Sequence, residues 1–342
     1  MLDKGIVNNL VARADSLRAD RTTWNDLFED IRTYIYPTTA SFVSNLPGDR
    51  ALDRNRKIFD PTAERAHSDL VGALMGGMTN NAIKWFQYGV TDQRIMEKTA
   101  VKRHLELATL QVLNISSSPE SNFYSSLHEF YFELTGLGTG FIFKRGKGTK
   151  SHFETVPLAD VFFEENDFGL IDCVYRPIMM TPKQIMDQFK LSDKLLETMQ
   201  HLNQTPSSVN KLEVLHIVKP RGKGKRNKNK NNAKNKKYMS VYILKDAGEE
   251  HEVLEESGFD RFPYYSSRWE KIAGREAMGR GVGARAIKNA KVLNKMVQYF
   301  FSLFMQRTHC HTVLGLKRAW ISSFHHKRSP GLDGMTRFGH FI

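Results

Sequence analysis

Apolar residues recur at three- and four-residue steps from the start of the chain. Ile6, Leu10, Leu17, Trp24, Leu27, Phe28, Ile31 and Tyr34 stand on that period with charges between them. The pattern predicts one amphipathic helix over residues 3–35, ended by Pro37. Residues 38–57 are polar and carry a Pro47-Gly48 turn signal, so they read as a loop or arm. Asp60 then supplies an N-cap, Pro61 suits a first helical position and Glu64 the first turn. The stripe Ala63, Ala66, Leu70, Leu74, Met75, Met78 predicts a second helix, stopped at Thr79. Trp85, Phe86 and Tyr88 read as a short strand, and two further helices are predicted over residues 93–114 and 120–135.

The period changes at GLGTG, residues 136–140. Strand-like runs follow at Phe141 to Phe143, Phe153 to Val156, Asp160 to Glu164, Leu170 to Tyr175, Leu212 to Val218 and Tyr238 to Leu244. Thr181-Pro182 and Ser192 each cap a short helix. After RFPYYSSRWEKIAGREAMGRGVG a long helix is predicted over about residues 284–305, with the stripe Ala286, Ala290, Leu293, Met296, Phe300, Leu303. Helices, then strands, then a helix give an α+β class. The expected divisions are a helical region 1–135, a strand-rich region 136–275, a helix 276–306 and an irregular tail 307–342. The expected core includes Trp24, Phe28, Leu70, Leu74, Trp85, Phe86, Phe130, Phe141 and Trp269.

Composition narrows the classes. The 342 residues include 22 Phe, 11 Tyr and 4 Trp, enough apolar material for cores. Two cysteines, Cys173 and Cys310, cannot build a disulfide framework, so an intracellular setting is expected. No apolar h-region opens the chain, and no apolar stretch approaches the ~20 residues needed to span a bilayer. The net charge of +13 is local. Residues 221–237 (RGKGKRNKNKNNAKNKK) hold nine cations and no acid, and the last 36 residues hold six cations and one acid. The remainder is close to neutral, so the basic balance does not imply a basic surface over the whole fold.

The chemistry-bearing patterns are sparse. No phosphate-loop spacing, H-E-x-x-H or G-x-S-x-G is present, so no enzyme, catalytic residue or cofactor is expected. Gly279-Arg280-Gly281-Val282-Gly283 reads as a turn into the long helix. His309-Cys310-His311 and His325-His326 lack the spacing of a structural zinc site, so no metal is expected. The run at 221–237 has two readings. Arg221, Lys223, Lys225, Arg226, Lys228, Lys230, Lys234, Lys236 and Lys237 could follow a DNA phosphate backbone without reading sequence. Alternatively they form a solvated hairpin insertion between paired strands, because stacking aromatics are missing.

Four blocks, in order, resemble the head-to-tail connecting (portal) proteins of short-tailed double-stranded DNA phages. They are WNDLFEDIRTYIYP at 24–37, IFDPTAERAHSDLVGALMGGMTNNAIKWFQYGV at 58–90, GLGTGFIF at 136–143 and SSRWEKIAGREAMGRGVGARAIKNAKVLNKM at 266–296. Asn81, Met278 and Val282 stand where the family usually has Pro, Tyr and Pro. The resemblance implies a portal-type subunit with a wing-like middle and a stem-like helix. It implies a ring, usually of twelve copies, at one capsid vertex, through which DNA is packaged and ejected. The implied partners are double-stranded DNA, a large terminase that carries the ATPase, capsid and scaffolding proteins and a tail adaptor, with no membrane. The implied location is the virion, and the host cytoplasm during assembly. The rival function is a non-ring phage or prophage protein that binds nucleic acid through 221–237.

Relatives of this kind are commonly longer. Past about Gln306 the periodicity, Cys/His content and charge balance all change. A C-terminally truncated chain or a change of reading frame is therefore expected there, with residues 307–342 outside any packed domain.

Overall fold

The computed structural model describes residues 3–36, 58–146, 148–204, 211–222, 233–245, 251–272 and 276–325, with backbone alone at 194, 204, 234 and 308–325. Two compact units divide the chain, 1–290 and 291–342. Besides a single turn at Gln93–Met96, which splits off the start of the helix expected over 93–114, the α-helices are α1 (Lys4–Asp20), α2 (Thr22–Tyr34), α3 (Thr62–Met78), α4 (Thr99–Ser117), α5 (Phe123–Gly136), α6 (Pro182–Gln188), α7 (Asp193–Gln204) and α8 (Val282–His325). The strands are β1 (Thr139–Arg145), β2 (His152–Val156), β3 (Phe162–Glu165), β4 (Ile171–Met180), β5 (Leu212–Pro220), β6 (Tyr238–Leu244), β7 (Glu252–Phe259) and β8 (Tyr264–Arg268). The class is α+β, as the pattern implies.

Both sheets of the first unit are antiparallel, one ordered β2-β1-β8 and the other β3-β4-β5-β6-β7. Period-two alternation sorts the larger sheet's side chains to two faces. Leu215 and Ile217 of β5, with Met239, Val241 and Ile243 of β6, take Val7, Leu10, Val11 and Ala14 of α1. Val218 points the other way. It joins a core with Phe28 and Ile31 of α2, Phe141 and Phe143 of β1, and Ile287 and Ala290 of α8. On that same side Val214 and Leu244 pack with Ile185, Leu195 and Met199 of α6 and α7. Thus β5 is covered on both faces, which explains why all five residues of VLHIV, His216 included, are buried. A fourth cluster joins Val71 of α3 to Leu127, Phe130, Tyr131 and Leu134 of α5 and Ile142 of β1.

Local chemistry sets several boundaries. Thr181 accepts from Gln184 N and the Gln184 side chain accepts from Thr181 N, a complete capping box, with Pro182 at the first turn of α6. α3 begins at Thr62, one residue later than expected, so Pro61 and not Asp60 stands at the N-cap, and Asp60 accepts from the Thr62 amide at 3.3 Å from just outside the helix.

Several expectations are corrected. The first helix is two, meeting at Arg21. The apolar stripe stays in phase through this point and so does not reveal the joint. Arg21 lies buried, donates to the Leu158 and Val161 carbonyls at 2.9 and 3.2 Å, and covers the Phe162 ring. Trp85, Phe86 and Tyr88 form no strand. Trp85 donates to the Tyr124 hydroxyl at 3.1 Å, and the Tyr88 amide is taken by Thr109 Oγ1 instead of a neighbouring strand. Of the expected core, Phe28, Phe130 and Phe141 are buried, Trp24, Leu70, Leu74, Trp85 and Phe86 half-buried, and Trp269 41% exposed. In α3 the buried positions are His67 and Val71, and Met78 of the expected stripe is exposed.

The long helix runs past Gln306 to His325. Of the four glycines past Gln306 only Gly315 falls inside it; Pro330, Gly331, Gly334 and Gly339 all follow it. Residues 326–342 lie outside the described residues.

Candidate functional site

The two glycine motifs, GLGTG and GRGVG, meet backbone to backbone. A Cβ built on Gly138 would stand 2.3 Å from the Gly281 amide nitrogen, and one on Gly281 2.5 Å from the Thr135 carbonyl oxygen. A Cβ on Gly279 would meet the Gly138 oxygen at 2.2 Å, and one on Gly283 the Gly136 oxygen at 2.4 Å. Gly138 also holds a φ of +101°, which side chains rarely adopt. Hydrogen bonds close the junction. Thr139 Oγ1 accepts from Gly279 N at 2.9 Å, Gly138 O from Trp269 N at 2.9 Å, and Glu270 O from Arg280 N at 2.8 Å. The start of α8 is thereby fixed to the turn between α5 and β1.

All four sequence blocks converge here. From the first, Ile31 would lie 3.1 Å from a Cβ on Gly283, and the Arg280 guanidinium stands 5.7 Å over the Trp24 ring. From the second, His67 would lie 3.3 Å from a Cβ on Gly136 and hydrogen-bonds Thr135 Oγ1 at 2.8 Å. Burial pushes the His67 pKa down to about 4, so its imidazole is neutral at ordinary pH. The sequence held a usable signal, two Gly-x-Gly-x-Gly runs of the same spacing, but nothing in it pairs them.

Two polar links brace the surroundings. Arg32 of α2 and Glu133 of α5 form a buried ion pair at 3.0 Å, and Glu133 also accepts from the Leu158 amide at 3.2 Å. Between the sheets, Arg176 donates to Glu154 at 2.7 Å. Burial alone would raise the Glu154 carboxyl, but Arg176 holds it below its ordinary value. Next to it His216 is buried, with Nδ1 3.1 Å from the Tyr264 hydroxyl and Nε2 3.0 Å from Ser240 Oγ. Its ring stacks on Tyr242 with centroids 4.2 Å apart. Burial pushes the His216 pKa down to about 3, with Arg176 and Arg145 adding to the shift.

The basic segment divides. Arg221 at the end of β5 is tied to Glu256 at 3.4 Å and to the Ser257 carbonyl at 3.2 Å. Lys236 stands 3.8 Å from Asp260, and Lys237 lies over the Tyr238 ring. These three are engaged at the base of the β5–β6 connection. Lys223, Lys225, Arg226, Lys228 and Lys230 lie outside the described residues, and Lys234 is described in backbone only. Among the described residues no group of three His, Cys, Asp or Glu is placed to hold a metal, and no helix is long and apolar enough to cross a membrane. The side chains of His309, Cys310, His311 and His325, and all of His326, lie outside the description.

Fold and junction define the class first: an α+β protein whose motifs are spent on packing backbone against backbone. The chain belongs to the bacteriophage head to tail connecting protein family, which matches residues 7–308. It is 29% identical over 263 residues to the portal protein of Salmonella phage epsilon15, covering 76% of this chain and 46% of that protein. It is 28% identical over 266 residues to the probable portal protein of Bordetella phage BPP-1, covering 78% of this chain and 47% of the relative. The chain therefore spans about half the length of the curated relatives it matches.

Proposed function

We propose that this chain is a portal subunit, forming a ring at one capsid vertex through which double-stranded DNA is packaged and ejected. The observation that carries this reading is the family match over residues 7–308. The four sequence blocks and the glycine junction they build support it. The ring serves as a passage, and the motor chemistry comes from a separate terminase. Capsid, scaffolding and tail-adaptor proteins are its other partners, in the host cytoplasm during assembly and in the virion afterwards. A passage for any genome needs contacts that do not read bases, and Lys223, Lys225, Arg226, Lys228, Lys230 and Lys234 supply general phosphate attraction. Arg221, held by Glu256, serves the fold instead. The divisions 1–135, 136–275 and 276–306 correspond on this reading to a helical region, a wing and a stem.

Negative-stain electron microscopy of the purified full chain tests the proposal. End-on views should show closed rings with a central channel. Single globular particles that bind DNA through the basic segment would favour the non-ring reading.

A further inference from the structure

Phe168 is 88% exposed, at the tip of the hairpin between β3 and β4, and Leu170 beside it is 63% exposed. This is not a slack loop. Asn166 Oδ1 accepts from the amides of Phe168 and Leu170, both at 3.0 Å, and the Asn166 amide donates to Leu170 O at 2.9 Å. Gly169 turns the chain with φ +71°, and Arg268 donates to its carbonyl at 2.6 Å. Glu165 at the hairpin's base is gripped by Arg268 and Lys271. A large aromatic held out on a fixed turn loses little conformational freedom on docking, which is the character of an interface anchor.

The second unit presents the complementary surface. Tyr299, Phe300, Phe301, Leu303, Phe304 and Met305 of α8 all lie exposed, Phe300 by 73%. These residues cover nearly two turns and are interrupted only by Ser302, so most of the helix circumference is apolar there, a composition found where a helix is covered. The charge is one-sided as well. From Val282 to His325 there are seven Lys and Arg and no acid. The hairpin reads EENDFGLID, with four acids and no cation, and Asp167 next to Phe168 is exposed. Glu164 is paired with Arg13 and Glu165 with Arg268 and Lys271, so Asp167 is the acid presented at the apolar tip, against a helix that is apolar and cationic.

We propose that the Phe168 hairpin of one copy docks on the α8 segment 291–307 of a second copy, with Phe168 and Leu170 against the apolar turns and Asp167 facing Lys295. The inference rests on the ring reading above. Because the two surfaces differ, the contact is heterologous, and repetition of such a contact closes a ring or runs on as a filament. The other occupants open to such a helix, DNA or a lipid surface, would leave the hairpin without a partner.

The test places a photo-reactive benzoyl-phenylalanine at position 168 of the full chain. Equal amounts of 15N-labelled and unlabelled protein are mixed before illumination, and the oligomeric state is measured in parallel. The expected result is a mixed-isotope cross-link mapping to residues 291–307. In addition, Asp167→Lys and Lys295→Glu should each weaken association at least about fivefold, and the double variant should recover most of the loss. Rings that form with no such cross-link, or with cross-links confined to one copy, overturn the contact and leave the ring reading standing. Rings indifferent to both charge reversals do the same. A protein that stays monomeric at every concentration overturns both.

Discussion

At the scale of single residues, glycines with the same name carry opposite roles. Gly138 has no room for a Cβ and a φ of +101°. Gly138→Ala should cost at least about 3 kcal/mol, because clash and backbone strain act together. Gly72 sits inside α3 with nothing within 4 Å of where a Cβ would stand. Gly72→Ala should stabilise by about 0.5–1 kcal/mol, through helix propensity and a restricted unfolded chain. Thermal or denaturant unfolding of the two variants checks both signs. The buried histidines give a pH signature. His216 titrates near 3 in the folded protein and near 6.5 once exposed. Between those values the unfolded chain holds a proton the folded chain does not, so stability is full above about pH 6.5 and falls as the pH drops. The slope is about 1.4 kcal/mol per pH unit for each such group, and His67 adds to it down to about pH 4. A His216→Gln variant should be less stable at pH 7 but lose about 1.4 kcal/mol less per unit between pH 6 and 4. Parallel denaturation curves for the two proteins across that range would refute this.

At the scale of elements, the basic segment separates into parts with different jobs. Replacing Lys223, Lys225, Arg226, Lys228 and Lys230 by Gln should leave the unfolding midpoint unchanged. It should also lower the slope of log affinity for duplex DNA against log salt, by at most about 4.5. Arg221→Gln should instead lower stability, since it removes the ties to Glu256 and to the Ser257 carbonyl. An unchanged salt slope in the first variant would mark the segment as a solvated insertion. Much of this layer is legible in the sequence. Six of the eight strands follow from strand-like runs and the start of α6 from Thr181 and Pro182, because those signals act within a few residues. What is not legible depends on partners distant in the chain. Edge strand β7 carries Glu252, Glu255 and Glu256, and is a strand because β6 lies beside it. β8 is drawn into place by β1. The joint at Arg21 follows from carbonyls more than a hundred residues away. Likewise the junction of GLGTG with GRGVG needs two segments about 140 residues apart, and each alone reads as a turn.

At the scale of the whole molecule, two features bear on assembly. The first unit spends its distinctive motifs on fixing the start of α8, and the second carries exposed apolar turns on a helix without acids. A helix with exposed apolar turns is the feature expected of a subunit completed by its neighbours. The central claim is therefore that this chain functions as one member of a ring. Mass photometry of the full chain tests it most directly. With a protomer of 39.3 kDa, a twelve-copy ring has a mass of about 470 kDa. The account predicts a discrete population at a high multiple of the protomer mass, near that value, with few particles between it and the monomer. A single population at the protomer mass, unchanged as concentration rises, would contradict it.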